Sequence, residues 1–196
     1  LATAYGANQT NVDAGLIGRA SVEGTTFTDS DGNGLRDESP AAPLSGVQVT
    51  LTQNVNIPGR LSTTITRVGT STADGNYSFG GLPGGAAGQA DFSLSFTPPA
   101  ATPAWQPTLA DVNNNGNDAN DSDGNLSGQA LAAGATESRD QGYYQPVTIS
   151  ARVFRDSTLP LNNQWDTSEP GISGVSVVLE ALPGNTPVAT KATDSN

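Results

Sequence analysis

The sequence predicts an all-β protein made of sandwich modules in tandem, and three observations carry that expectation. Short β-branched or alternating apolar runs recur along the chain, Asp-Gly, Asn-Gly and Pro-Gly dipeptides separate them, and the chain repeats itself at a nearly constant offset. Alternation with a period of two places apolar side chains on one face of a strand, and Gly supplies the positive φ of a tight turn. Strands are expected at 20–28, 47–53, 63–68, 77–79, 90–96, 126–131, 137–144, 147–154, 174–180 and 187–192. Ala is frequent but falls on no 3.6-residue stripe, so no helix is expected. Disorder is the competing reading, given 23 Gly and 13 Pro, but the regular apolar alternation argues against a solvated coil.

The repeat is ordered. Asp13-Ala14-Gly15-Leu16-Ile17 returns as Asp140-Gln141-Gly142-Tyr143-Tyr144, and Phe27-Thr28-Asp29 as Phe154-Arg155-Asp156, both 127 residues on. Leu44-Ser45-Gly46-Val47 returns as Ile172-Ser173-Gly174-Val175 at an offset of 128. Thr72-Ala73-Asp74 is echoed by Ala192-Thr193-Asp194. Residues 1–17 therefore read as the C-terminal strand of a preceding module, 18–146 as a complete module, and 147–196 as the first part of a following one. Repetition of this kind signals an array.

Composition narrows the function. With 19 acidic against 8 basic residues the net charge is −11, which disfavours nucleic acid, whose phosphates require a Lys/Arg surface. No apolar run approaches the length that spans a bilayer. Nothing at the N-terminus reads as a signal peptide, so a secreted protein would be seen here as a mature or excised piece. The sequence holds no Cys, no Met and no His, which removes disulfides, thiolate zinc sites and both Ser-His-Asp and Cys-His catalysis. Paired carboxylates can hydrolyse glycosides, but these lie in Gly/Asn-rich turns suited to chelation. Trp105 and Trp165 read as packing anchors before a sugar platform. No enzyme is expected.

The ordered motifs resemble a known family. Phe27-Thr28-Asp29-Ser30-Asp31-Gly32-Asn33-Gly34-Leu35-Arg36-Asp37 is followed by Ser45-Gly46-Val47-Gln48-Val49-Thr50-Leu51, and then by Asp74-Gly75-Asn76-Tyr77-Ser78-Phe79. In this order they are similar to the B repeats of serine-aspartate-repeat (SdrD-type) surface adhesins, relatives of Cna-B domains. The resemblance covers essentially the whole chain. It implies a Greek-key, immunoglobulin-like β-sandwich, calcium sites in the loops, and a stalk or spacer role outside the cell. Many Cna-B-like pilin modules carry a Lys–Asn isopeptide bond; the sole lysine is Lys191, so residues 18–146 cannot form one.

The residues themselves point to Ca²⁺, which takes six to eight hard oxygen ligands. Asp29, Asp31 and Asn33 fall at positions one, three and five of an EF-hand-like loop. Gly34 makes the turn, Leu35 offers a carbonyl at seven, and Asp37 stands at nine. Pro40 occupies the twelfth position, and Glu38 is acidic but two residues early. A second acidic run supplies Asp111, Asn113, Asp118, Asp121 and Asp123. Asx-rich turns holding no ion are the competing reading. The corresponding loop from Asp156 to Asp166 places Pro160 and Leu161 where the fifth ligand and the turn Gly belong, leaving Asp156, Asp166 and Glu169 as a weak set.

The expected function is a calcium-stiffened structural module of a cell-surface stalk, sheath or extracellular filament. The alternatives are an adhesin module binding a host or matrix ligand, and a spacer in a large secreted enzyme. Expected partners are neighbouring copies or modules of the same protein. Either residues 10–17 of one chain complete the sheet of residues 147–196 in the next by strand addition, or, more simply, the chain is excised from a longer polypeptide and both neighbours continue covalently.

Overall fold

The computed structural model describes residues 18–40, 42–56, 62–112, 120–157, 159, 161–181, 184 and 186–194. The chain divides into two compact units, 1–146 and 147–196.

In the first unit, alternation builds two sheets whose apolar faces meet. β1 (Gly18–Thr28) is central to one sheet, running antiparallel to β4 (Asn76–Gly84). Its other edge is shared by two strands in succession. β8 (Thr136–Ser138) pairs with residues 21–23 and β9 (Gln141–Tyr144) with residues 26–28, both parallel to β1. The two-residue β6 (Gln106–Pro107) pairs with β9. The second sheet runs β3 (Thr63–Thr70), β2 (Gln48–Val55), β5 (Ala90–Thr97), β7 (Leu126–Gln129), all antiparallel. The first strand pairs in parallel with the last two within one sheet, and the stack of two sheets is the β-sandwich expected from the sequence.

The core lies between the sheets. Val22, Val47, Val49, Leu51, Leu82 and Leu131 are fully buried, with Phe92, Leu94 and Tyr143 beside them. Tyr77 stacks edge-on against Phe96 with ring centroids 5.7 Å apart, and its hydroxyl donates to the Arg139 carbonyl at 2.6 Å. That bond satisfies the one polar atom of an otherwise apolar side chain. A hydroxyl latch closes the entry to β2: Ser71 Oγ accepts from the Val47 amide at 3.0 Å and donates to the Leu44 carbonyl at 3.0 Å.

Two expected strands differ from those formed. The 137–144 strand is broken at Arg139-Asp140, because the Asp140 amide donates to the Asp123 carboxylate at 2.6 Å instead of to a ladder carbonyl. The 147–154 strand is absent except for a single bridge, Phe154 to Gly171. Its counterpart β1 is held by β4, β8 and β9, and among the described residues of the second unit no strand occupies those places.

The second unit holds the hairpin β10 (Ser176–Ala181) and β11 (Thr186–Ala192). It reproduces the latch of the first unit: the Val175 amide donates to Thr193 Oγ1 at 3.0 Å, and Thr193 Oγ1 donates to the Ile172 carbonyl at 2.5 Å. These bonds match Thr193 to Ser71, two positions from the Ala73 that the sequence motif suggests.

Candidate metal centre

The Asp29–Glu38 loop hangs from the end of β1, where the Asp29 amide donates to the Tyr143 carbonyl at 2.8 Å. Asp29 is fully buried, and its carboxylate collects backbone donors from Gly32 at 2.7 Å, Asn33 at 3.3 Å and Gly34 at 2.7 Å, plus the Thr108 hydroxyl. Burial pushes its pKa up, but the hydrogen bonds from Thr108, Gly34 and Gly32 outweigh it and hold the carboxyl below its usual range. The loop can wind this tightly because Gly34 adopts φ +87°, and a Cβ there would come within 2.7 Å of the Leu109 carbonyl oxygen.

Carboxylate oxygens of Asp29, Asp31 and Glu38 lie within 4.8 Å of one another. Glu38 also accepts from the Ser30 amide at 2.6 Å, which turns it back over the start of the loop. Its being two residues early for an EF-hand therefore does not keep it away. The Asn33 side-chain amide donates to Asp31 at 3.1 Å and Asp37 at 3.4 Å, while its oxygen accepts from the Leu35 amide at 2.6 Å.

The second acidic run sits beside this loop. Leu35 bridges Asp121, the Arg36 amide donates to the Asn120 carbonyl at 2.8 Å, and the Ser122 amide donates to the Gly34 carbonyl at 2.9 Å. Asp121 and Asp123 are buried, whereas Asp111 is exposed with φ 51°. Asp123 accepts from the Asp140 amide and lies 4.0 Å from the Arg139 guanidinium. Asn113 and Asp118 lie outside the described residues. Sequence reading missed Thr108, and it missed the pairing of Asp140 with Arg36 at 2.9 Å. Both depend on contacts between segments far apart in sequence, and neither residue type signals them alone.

The loop of the second unit repeats part of this hydrogen-bond scheme despite its altered spacing. Asp156 accepts from the Asn163 amide at 2.9 Å, Asn162 donates to Asp166 at 3.2 Å and accepts from Gln164 at 2.8 Å, and Glu169 accepts from the Ser157 amide at 2.8 Å. Asn162, Asn163, Gln164 and Asp166 thus stand where Asn33, Gly34, Leu35 and Asp37 stand. Asn163 takes the left-handed turn with φ 56°, which Asn tolerates better than most residues.

A parallel-closed β-sandwich with an acidic loop at the end of its central strand, followed by a unit with a related loop and hairpin, defines an all-β repeat domain. Comparison with known families makes this specific: residues 20–144 match the SdrD B-like domain, and the chain belongs to that family. It is 31% identical over 200 residues to serine-aspartate repeat-containing protein F of Staphylococcus epidermidis, covering 99% of this chain and 10% of the relative. The same protein from strain ATCC 12228 / FDA PCI 1200 is 30% identical, covering 99% and 11%. The chain thus spans about a tenth of the length of these relatives. The family places the domain outside the cell, among surface proteins.

Proposed function

We propose that this chain is a calcium-stiffened structural repeat of a surface stalk, sheath or extracellular filament, working by mechanical continuity with neighbouring modules. The convergence of Asp29, Asp31 and Glu38 within 4.8 Å carries the reading. Two oxygens on opposite sides of one Ca²⁺ at about 2.4 Å stand about 4.8 Å apart, so the spacing suits a shared ion. Three like charges so placed repel by about 1–3 kcal/mol per pair at an effective dielectric of 20–80, and a divalent ion reverses the sign of that cost. Asp37, Asn33 through its oxygen, and the Leu35 carbonyl complete the candidate ligand set, with Asp111, Asn113, Asp118, Asp121 and Asp123 as a neighbouring one.

Stiffening follows from where the loop is attached. It joins the end of β1 to the segment at 120–122, so ordering the loop ties one end of the sandwich together. Sites of about 0.1–1 mM affinity in millimolar calcium add roughly 0.4–1.4 kcal/mol each. Calcium titration calorimetry tests the assignment. The whole chain is expected to bind Ca²⁺ in this range and Mg²⁺ much more weakly, with Asp31→Asn losing at least tenfold in affinity. Equal binding by Asp31→Asn would remove the loop from the account.

A further inference from the structure

An open sheet edge presents a row of unpaired backbone groups, and folded β-proteins ordinarily guard such edges with short strands, bulges, proline or charge. The first unit guards most of its edges in these ways. β6 is two residues long and includes Pro107, and β8 has three residues. β7 has four, and its pairing with β5 slips between Phe92 and Leu94. The pairing of β4 with β1 shifts between Ala20 and Val22, Gly81 takes φ +67° there, and Pro83 follows.

β3 has none of these guards. Its eight residues pair with β2 one for one, and they include no proline and no acid. Its single charge is drawn away from the edge, because the Arg67 guanidinium donates to the Gly80 carbonyl of β4 at 2.6 Å. Thr64, Thr66, Val68 and Thr70 are exposed, Val68 by 59%. Among the described residues no strand lies on the outer side of β3. The equivalent strand of the second unit, β11, is guarded: it carries Pro187 and Lys191, and its pairing slips between Leu179 and Glu180. The open edge is thus a property of β3 and not of the hairpin in general.

We propose that the outer edge of β3 pairs antiparallel with β3 of a second copy of this chain, joining their four-stranded sheets side by side into one continuous sheet. Charge selects this occupant. The chain carries −11, yet residues 39–90 hold one acid, Asp74, against Arg60 and Arg67. This is the longest acid-poor stretch of the sequence, and β2, the neighbour of β3, carries no charge. Another acidic copy can therefore approach here without strong repulsion, whereas a basic partner would be drawn to the acid-rich loops. The contact is lateral, so it goes beyond the end-to-end continuity proposed above, and it does not involve calcium.

Symmetry sets the register. A two-fold axis places one residue opposite its own copy. Centring on Thr66 pairs residues 63–69 and sets Thr64 opposite Val68 of the second copy, which covers the exposed valine. Centring on Arg67 opposes like charges, and other centres leave more of the strand unpaired. One strand pair is a small contact, expected to be weak between single chains and to strengthen when repeats are arrayed.

Sedimentation equilibrium of the full chain at millimolar concentration and low salt is expected to show monomer and dimer. Thr66→Lys and Thr66→Glu are each expected to weaken the dimer about fivefold, with unfolding midpoints unchanged, and an equimolar mixture of the two is expected to restore it. Thr66→Cys introduces the only thiol in the chain, and it is expected to oxidise to a dimer faster than Thr64→Cys or Val68→Cys. A chain that stays monomeric at millimolar concentration would overturn the proposal. So would a dimer indifferent to both charged variants, which would place the contact elsewhere. Neither readout needs calcium, so loss of the dimer would leave the metal assignment standing, and failed calcium binding would leave the dimer standing.

Discussion

At the scale of single residues, Asp29 and Tyr77 show how this module balances buried polarity. Asp29 is buried yet ionises readily, because Thr108 and three backbone amides donate to it. A carboxyl whose folded pKa lies below its ordinary 3.8 contributes stability above that value and loses it as pH falls through the folded pKa. Asp29→Asn is therefore expected to flatten the acid limb of unfolding in calcium-free buffer, below about pH 4, relative to the unsubstituted chain. Asp140 acts in the opposite sense. Burial raises its pKa, against the lowering effects of the Thr25 amide and Arg36. Its contribution is fully present at low pH and declines as pH rises from the ordinary carboxylate value through the raised one. Tyr77→Phe, which strips the Arg139 carbonyl of its donor, is expected to cost about 1–3 kcal/mol in urea unfolding. The acids at 29, 31 and 38 could be read as ligands from spacing, since alternate positions in a short turn converge. The roles of Thr108 and Arg139 could not, because each is brought to its partner only by the fold.

At the scale of elements, the alternation in β2 and β5 was enough to locate the second sheet, since its inward residues Val49, Leu51, Phe92 and Leu94 fall at every second position. Leu51→Ala is expected to cost about 2–5 kcal/mol, measured as a shift in the urea midpoint with an unchanged slope. The strip 137–144 shows where alternation fails. Its residues are polar up to Tyr143, so no alternation marks a break, yet the Asp140 amide leaves the ladder for Asp123, and one expected strand becomes two. The reverse failure occurs at 147–154. There the sequence of a central strand is present, but a strand exists only when its backbone groups find neighbours. Gly142→Ala tests the close crossing of β9 and β1: the added Cβ meets both Thr108 and Phe27, and a loss of about 1–3 kcal/mol is expected.

At the scale of the whole molecule, the repeat matters more than any one site. Part of the hydrogen-bond scheme of the Asp29–Glu38 loop survives at Asp156–Glu169 although the spacing from Asp to Asn grows from four residues to six. The bonds of Asp156, Asn162 and Glu169 show that the insertion keeps part of the turn, while the carboxylate cluster found among the described residues is that of Asp29, Asp31 and Glu38. With no cysteine in the chain, the tying of strand ends falls to the carboxylate loops in the proposed reading. Thermal unfolding of the chain in millimolar Ca²⁺, in EGTA and in Mg²⁺ tests that claim most directly. A midpoint lowered by a few degrees in EGTA, restored by Ca²⁺ and not by Mg²⁺, is the expected result. Identical midpoints in all three buffers would contradict it and leave these loops as hydrogen-bonded turns.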